Sequence, residues 1–388
     1  MQQVIPVTNL KQQQEALREE MDAAIRGVLE RQDFILGREV AELEQAIAQR
    51  QDCSYGIGCA SGSDALLLSL LALGVGPGDT VLVPAFTFFA TAGSVARTGA
   101  QPSFVDIDPR TFNISPSAAE AVLKGQDAEG SLKAVIPVHL FGQCADMDAV
   151  LALAEQYKIF VVEDAAQAIG ARYRSRAAGS MGVCGCFSFY PTKNLGACGD
   201  GGMITTDDPG LAERLRLLRN HGATEKHAHA TLGINSRLDT LQAAILLVKL
   251  KRLEDWTAQR KQKAAFYRKA LLATGLCDPA VIYPSRNCPV VLPYQSPAAE
   301  HVYHQFTLRV YRRDELASYL AAKGIETAIY YPAPLHLQPA FSYLGGGRGG
   351  YPQSERAARE VLSIPLYPEI TEEQLSQVVQ KVKNFYTV

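Results

Sequence analysis

The chain has 388 residues, with 38 Lys and Arg against 40 Asp and Glu and a formal net charge of −2. That length predicts roughly two domains with room for sizeable cores, and the near-neutral balance offers no basic field for nucleic acid or an acidic membrane, so the expected partners are small molecules or other protein chains. No apolar run approaches the roughly 18 residues of a membrane span, the N-terminus lacks a basic-then-apolar signal pattern, and eight cysteines scattered through ordinary sequence suit a reduced, cytoplasmic compartment.

A helical segment is expected at the N-terminus. From Tyr55 to Thr206, short apolar runs then alternate with helical stretches. The runs are Tyr55–Cys59, Val81–Pro84, Pro102–Ile107, Lys133–Val138, Ile159–Glu163, Cys186–Tyr190 and Gly202–Thr206, and the helices between them include Ala65–Leu73, Pro116–Leu123 and Asp146–Tyr157. Seven continuous apolar strands spaced by helices predict an α/β fold with a mainly parallel seven-stranded sheet, covered on both faces. Leu211–Arg219 and Thr240–Lys263 read as helices, the second long and carrying the boundary between a large domain (1–250) and a small α+β domain (251–388). In the latter, Cys277–Ala299 reads as proline-rich loop, Phe306–Tyr311 and Thr327–Tyr331 as strands, and Arg313–Lys323 and Ser354–Leu362 as helices. The run Gly345–Gly350 is expected to be mobile.

Ligands gather at the carboxyl ends of parallel strands, and Ser61, Phe88, Asp164 and Lys193 all fall at or just after such ends. Lys193 sits in FSFYPTKNLGACGDGG, between an aromatic strand and a glycine turn, and Asp164 ends the strand in VVEDAAQAIGA. A lysine and a carboxylate at one sheet end suit pyridoxal phosphate chemistry. The amine links to the aldehyde and the carboxylate holds the ring nitrogen protonated, so that the ring accepts electrons.

Each group also has a plainer reading. For Asp164 it is a cap on the next helix, and for Lys193 a solvated surface lysine. In CASGSDALLLSL, Ser61 or Ser63 caps a helix, while Gly62 leaves room for an anion against the exposed amides. Gln167 can donate to a ring hydroxyl. Phe88 can stack on a ring, whereas Phe86 and Phe89 are expected in the core. Ser188 can reach a phosphate or be an ordinary strand serine. Cys184, Cys186 and Cys198, spaced C-x-C-x11-C without paired histidines, make a poor zinc pattern and are expected to be buried thiols, so no metal is expected.

Nearly the whole chain resembles the DegT/DnrJ/EryC1/StrS family of sugar aminotransferases. The resemblance is carried by FILGREVAELE (34–44), SGSDAL (61–66), GDTVLVPAFTFFATA (78–92), FVDIDPRTFNI (104–114), IPVHLFGQCADMD (136–148), EDAAQAIGA, FYPTKNLGACGDGG, NSRLDTLQAAIL (235–246), VYHQFTLR (302–309) and YYPAPLHLQPAF (330–341). It implies a pyridoxal-phosphate enzyme of the aspartate aminotransferase fold type. Lys193 would be the covalent anchor and proton shuttle, and Asp164 the partner of the ring nitrogen. Gln167 would lie near the ring hydroxyl and Phe88 on the ring, with Gly62, Ser63 and Ser188 at the phosphate. Asn235 would reach the phosphate of a neighbouring subunit, implying a homodimer with shared active sites.

Ser63 replaces a commoner threonine, and Cys198 stands where an aromatic or apolar residue is frequent. Lys193 argues against the relatives that carry histidine there and dehydrate instead. The implied substrates are glutamate and a nucleotide-linked keto-sugar, with amination at C3 favoured over C4; a cyclitol aminotransferase and a cofactor-holding regulator or sensor are the alternatives. Tyr330, Tyr331 and His336 fall in the segment that borders the sugar in the family, or else pack between the domains. Arg237 would face a phosphate or an acidic sugar, or pair with Asp239.

Overall fold

The computed structural model describes residues 4–125 and 132–387. Two helices, α1 (Leu10–Arg31) and α2 (Arg38–Arg50), precede the sheet strands β1 (Tyr55–Cys59), β2 (Thr80–Pro84), β3 (Gln101–Val105), β4 (Leu132–Val135), β5 (Phe160–Asp164), β6 (Cys184–Ser188) and β7 (Gly202–Thr206). They form one sheet in the order β1-β7-β6-β5-β4-β2-β3. Only β7 runs against its neighbours β1 and β6; the other pairs are parallel.

The expected sheet is therefore present, with strand ends shifted by up to three residues. The expected strand Lys133–Val138 leaves the ladder after Val135, beside Pro137, which has no N–H to give. Successive side chains in a strand face opposite ways, and here both faces are apolar. On one face Leu82, Val105, Val135, Val161 and Met203 pack with α2, α5 (Pro116–Gly125), α6 (Met147–Tyr157) and α8 (Thr240–Leu250). On the other, Val81, Val83, Phe104, Val162 and Ile204 pack with α3 (Gly62–Ala72), α4 (Phe89–Arg97) and α7 (Pro209–Leu218). Phe86 is buried as expected, but Phe89 remains 45% exposed, its ring 5.3 Å from Phe341.

The helix α3 illustrates the local logic. Ser61, not Ser63, is its N-cap: the Ser61 hydroxyl accepts from Asp64 N at 3.1 Å. The leucines at 66, 67, 68 and 70 are all buried, each worth about 1.5–3 kcal/mol. Gly74, at φ +74°, turns the chain out of the helix.

The single helix expected over Thr240–Lys263 is two, α8 and α9 (Leu253–Leu272). α8 packs on α1 and α2, whereas α9 packs on α12 (Glu372–Thr387), so the chain changes direction between them. Beyond this break β8 (Val290–Val291), β9 (Phe306–Val310) and β10 (Val361–Ile364) form an antiparallel sheet. With α9, α10 (Arg313–Ala322), α12 and Ile5 it encloses a separate apolar cluster. The expected helix Ser354–Leu362 is α11 (Pro352–Glu360), after which the chain enters β10. The expected strand Thr327–Tyr331 is not a strand; its one ladder contact is a bridge between Ala328 and Ser363. In the glycine run, Gly349 N donates to Glu355 Oε1 at 2.6 Å.

Asp106, just past β3, ties the large sheet to α11. Its carboxylate accepts from Gln353 N, Ser354 N and Ser354 Oγ at 2.7–2.9 Å, fixing the start of α11. No helix among the described residues is long and apolar enough to cross a membrane.

Candidate active site

Three strand ends and one helix start converge. The start of α3 abuts the end of β6 so closely that a Cβ on Gly62 would stand 2.6 Å from Ser188 Cβ. Glycine is required there. The exposed amides at the start of α3 thus lie beside the Ser188 hydroxyl, which accepts from Tyr190 N at 3.3 Å. Ser63 is half-buried, and its carbonyl accepts from Ser94 Oγ at 3.0 Å. Helix starts of this kind suit an anion.

Lys193 lies in the turn after β6, its amide bonded to Tyr190 O at 2.8 Å. The turn is held from behind by α8: Lys249 Nζ donates to Gly196 O at 2.7 Å, and Gln242 Oε1 accepts from Cys198 N at 2.9 Å. The Lys193 side chain is half-buried, and its amine makes no hydrogen bond or ion pair with the described residues. Burial pushes it down to about 8, with the Asp164 charge opposing in part. A lysine so placed gives up its proton far more readily than an ordinary one.

Asp164 ends β5 and is 5% exposed. Burial raises its carboxyl above the usual range; hydrogen bonds from Thr91 and the Ala166 amide, and the Lys193 charge, pull the other way. Thr91 Oγ1 donates to Oδ2 at 2.8 Å, and Ala166 N to Oδ1 at 3.3 Å. The carboxylate therefore does not cap the following segment alone; it is also held from α4.

Gln167 is fixed at both ends of its amide, accepting from Phe141 N at 2.7 Å and donating to Tyr331 OH at 3.1 Å. Burial raises the Tyr331 phenol well above its ordinary value. Its ring lies 6.0 Å from Phe86, 6.1 Å from Phe88 and 5.8 Å from Tyr330. Phe88 itself is 55% exposed at the start of α4, an aromatic face free to meet a ligand. Lys193, Asp164, Gln167, Phe88, Tyr331, Gly62 and Ser188 thus gather at the carboxyl ends of the central strands.

His336 does not share these contacts. It is buried, with Nε2 3.2 Å from Glu355 Oε1 and its ring 4.6 Å from Tyr351. Asn235 is exposed on the segment before α8, which is tied to the end of β1 by the neighbouring Ser236, whose hydroxyl accepts from Ala60 N at 3.1 Å. Arg237 pairs with Asn220 Oδ1 at 2.9 Å and makes no ion pair with Asp239; its Nε is buried without a hydrogen-bond partner. Cys184 and Cys186 are buried as expected, but Cys198 is exposed. No group of His, Cys, Asp and Glu suited to a metal occurs among the described residues.

Four supporting residues carry no sequence signal of their own. Thr91 is one. Next to Asp164, on the opposite face, Glu163 is fully buried and accepts from Gly179 N, Met181 N and Gly182 N at 2.6–2.8 Å, and meets His139 Nε2 at 2.8 Å. Because His139 Nδ1 accepts from Ala145 N, the ring's proton is on Nε2, and the imidazole donates to Glu163. His304 is buried against Asn194 Oδ1 at 3.3 Å, and burial, then the nearby Lys193 charge, hold it well below its ordinary range.

A readily deprotonated amine with no hydrogen bond among the described residues, a buried carboxylate and a cradle only glycine permits suit, respectively, an aldehyde, a protonated ring nitrogen and a phosphate. The family model of the DegT/DnrJ/EryC1/StrS aminotransferases matches residues 15–383. The chain is 50% identical over 98% of each sequence to a Geobacillus stearothermophilus protein named pleiotropic regulatory protein. It is 42% identical to the UDP-N-acetyl-3-dehydro-alpha-D-glucosamine 3-aminotransferase of Acidithiobacillus ferrooxidans, over 98% of this chain and 97% of that one. A crystal structure of S. venezuelae DesV superposes with a TM-score of 0.93 at 42% identity, covering 100% of this chain and 99% of that one. NtdA from Bacillus subtilis, solved with bound cofactor PMP, matches with a TM-score of 0.85 at 32% identity, covering 95% of this chain and 82% of that one. The fold is that of the aspartate aminotransferase type, and the cofactor is pyridoxal phosphate. The chain belongs to the DegT/DnrJ/EryC1/StrS aminotransferase family.

Proposed function

We propose that this enzyme moves an amino group from glutamate to the keto carbon of a nucleotide-linked sugar, with carbon 3 favoured over carbon 4. The observation that carries the reading is the meeting of a depressed, unpartnered amine at Lys193 with a buried carboxylate at Asp164. When bound, pyridoxal phosphate supplies an aldehyde for the amine and a ring that stores an electron pair. Lys193 would anchor it and then, in each half of the reaction, move a proton between the cofactor carbon and the substrate carbon. Asp164 keeps the ring nitrogen protonated. Gly62, Ser63 and Ser188 hold the phosphate, Phe88 covers the ring face, and Gln167, braced by Phe141 N and Tyr331, faces the ring hydroxyl.

Three relatives at 42% identity have names that put the amino or oxo group on carbon 3, which supports that position. Tyr330 and Tyr331 border the sugar in this reading, and Arg237, with its unpaired Nε, meets an acidic group. Incubation with a panel of 3-keto and 4-keto nucleotide sugars, product position read by NMR, tests the choice; amination only at carbon 4 overturns it.

A homodimer with shared sites also belongs to the proposal, Asn235 reaching the partner's phosphate site. Support comes from the exposed apolar run Phe34, Ile35 and Leu36 and from Leu232, which is 95% exposed. The boundary near residue 250, with its separate apolar cluster beyond, we read as the join between a large cofactor-binding domain and a small one.

The depressed amine sets a pH dependence. Below about 8 Lys193 keeps its proton and has no lone pair to give. Covalent capture of pyridoxal phosphate by the apo-protein should therefore quicken about tenfold per pH unit up to about 8 and level off above it. An ordinary lysine would keep gaining toward about 10.4. Stopped-flow absorbance across pH 6–10 (roughly the span of both midpoints) checks this.

A second reading, a regulator that holds the cofactor without turnover, is favoured only by the name of the 50% identical relative. Loss of the bound cofactor's visible absorbance on adding glutamate supports the enzyme; no change supports the regulator.

A further inference from the structure

We propose that Thr91, oriented by Thr87, is a positioning residue that fixes the Asp164 carboxylate as an aligned anion for the ring nitrogen of the cofactor. The inference rests on the assignment of Asp164 made above. Thr91 and Thr87 are both buried, and Thr91 stands on the first turn of α4, across the sheet edge from β5. The Thr91 Oγ1 to Asp164 Oδ2 distance is 2.8 Å, and the Thr87 Oγ1 to Thr91 Oγ1 distance is 3.1 Å.

The direction of this chain follows from proton counting. An ionised carboxylate only accepts, so the single Thr91 proton goes to Asp164. Thr91 then has only lone pairs left for Thr87, and Thr87 is the donor between them. Two hydroxyls in series polarise one another, which strengthens the bond to the carboxylate. Without that donor, burial would act on Asp164 with less opposition and favour its neutral form, which cannot accept a proton from the ring nitrogen in the same way. Thr91 and Ala166 N each hold a different oxygen, so together they also set the plane of the carboxylate. Freed from Thr91, the group can rotate about its Cβ–Cγ bond.

The test compares pyridoxal phosphate with 1-deazapyridoxal phosphate, whose ring has carbon in place of the nitrogen, as ligands of the apo-protein measured by calorimetry. Wild type should bind the natural cofactor more tightly. Thr91→Val should weaken that binding about tenfold, the scale of one hydrogen bond to a charged group, and change binding of the deaza compound by less than about twofold. Thr91→Ser, which restores the hydroxyl, should recover most of the difference, and Thr87→Val should lie between. If the valine variant does not accumulate, Thr91→Ala gives the same contrast. Equal weakening for both compounds means that Thr91 only packs, and overturns the proposal. So does a Thr91→Val protein that keeps the wild-type ratio or binds the natural cofactor more tightly. If wild type itself does not discriminate between the two, the assignment of Asp164 fails instead.

Discussion

Replacing Lys193 with alanine abolishes turnover, by at least about 10⁴-fold, and removes the visible absorbance of the bound cofactor. The magnitude follows from two roles lost together. Proton transfer by a positioned side chain is worth about 10²–10⁴, and the covalent anchor is lost as well. No nearby group replaces it. Lys249, a buried lysine nearby, donates to Gly196 O behind the turn. His304 is held neutral by burial and is engaged with Asn194. Lys193→Arg separates charge from nucleophilicity: the guanidinium keeps the positive charge but never loses its proton, so this variant should be as inactive as alanine. Since the amine of Lys193 makes no hydrogen bond or ion pair among the described residues and meets Asp164 only through charge, either variant should melt within a few degrees of wild type. Steady-state assay, absorbance and thermal melting together decide the matter. An alanine variant that turns over normally would end the assignment.

The sheet was legible because its strands are buried on both faces. Runs such as Val81–Pro84 and Ile159–Glu163 carry no polar alternation, and the two apolar clusters they feed explain why. The break between α8 and α9 was not legible. Neither Lys251 nor Arg252 is a helix breaker, and the change of course comes from which helices each half meets. Thr327–Tyr331 has strand composition, yet Tyr331 turns toward Phe86 and Phe88 and the segment meets β10 only at the Ala328–Ser363 bridge.

In the site, groups with intrinsic chemistry stood out: a lysine in a glycine turn, a carboxylate at a strand end and a small-residue helix start. The supports did not. A threonine at position 91 reads as any helix threonine until the sheet brings β5 beside α4. Likewise the Glu163 carboxylate acquires meaning only when residues 179–182 fold over it. His336 shows the converse, a residue chosen by its segment whose ring proves to be committed to Glu355 and Tyr351.

The second large effect is at Asp164, where Asp164→Asn should lower turnover about 10²- to 10³-fold, the usual scale for one preorganised electrostatic contact, yet raise the melting temperature of the apo-protein. The two changes share one cause. Burial raises the Asp164 carboxyl above its usual value of 3.8. A group whose folded value is raised contributes stability below 3.8 and loses that contribution as the pH climbs through the raised value, so at neutral pH the ionised carboxylate opposes folding. Asparagine has no charge to bury, and its carbonyl still accepts from Thr91, at the cost only of the long 3.3 Å bond from Ala166 N, which its amide nitrogen cannot accept. A gain of about 1–3 °C is expected at neutral pH, shrinking as the pH falls and vanishing well below 3.8, where the aspartate is protonated in both states. The amide cannot hold a ring nitrogen protonated, so the electron sink fails although the fold has improved. Unchanged turnover would contradict the role assigned to the carboxylate. A lower melting temperature would mean that the bonds from Thr91 and Ala166 outweigh desolvation, making Asp164 a support of the fold rather than a strain it carries for the chemistry.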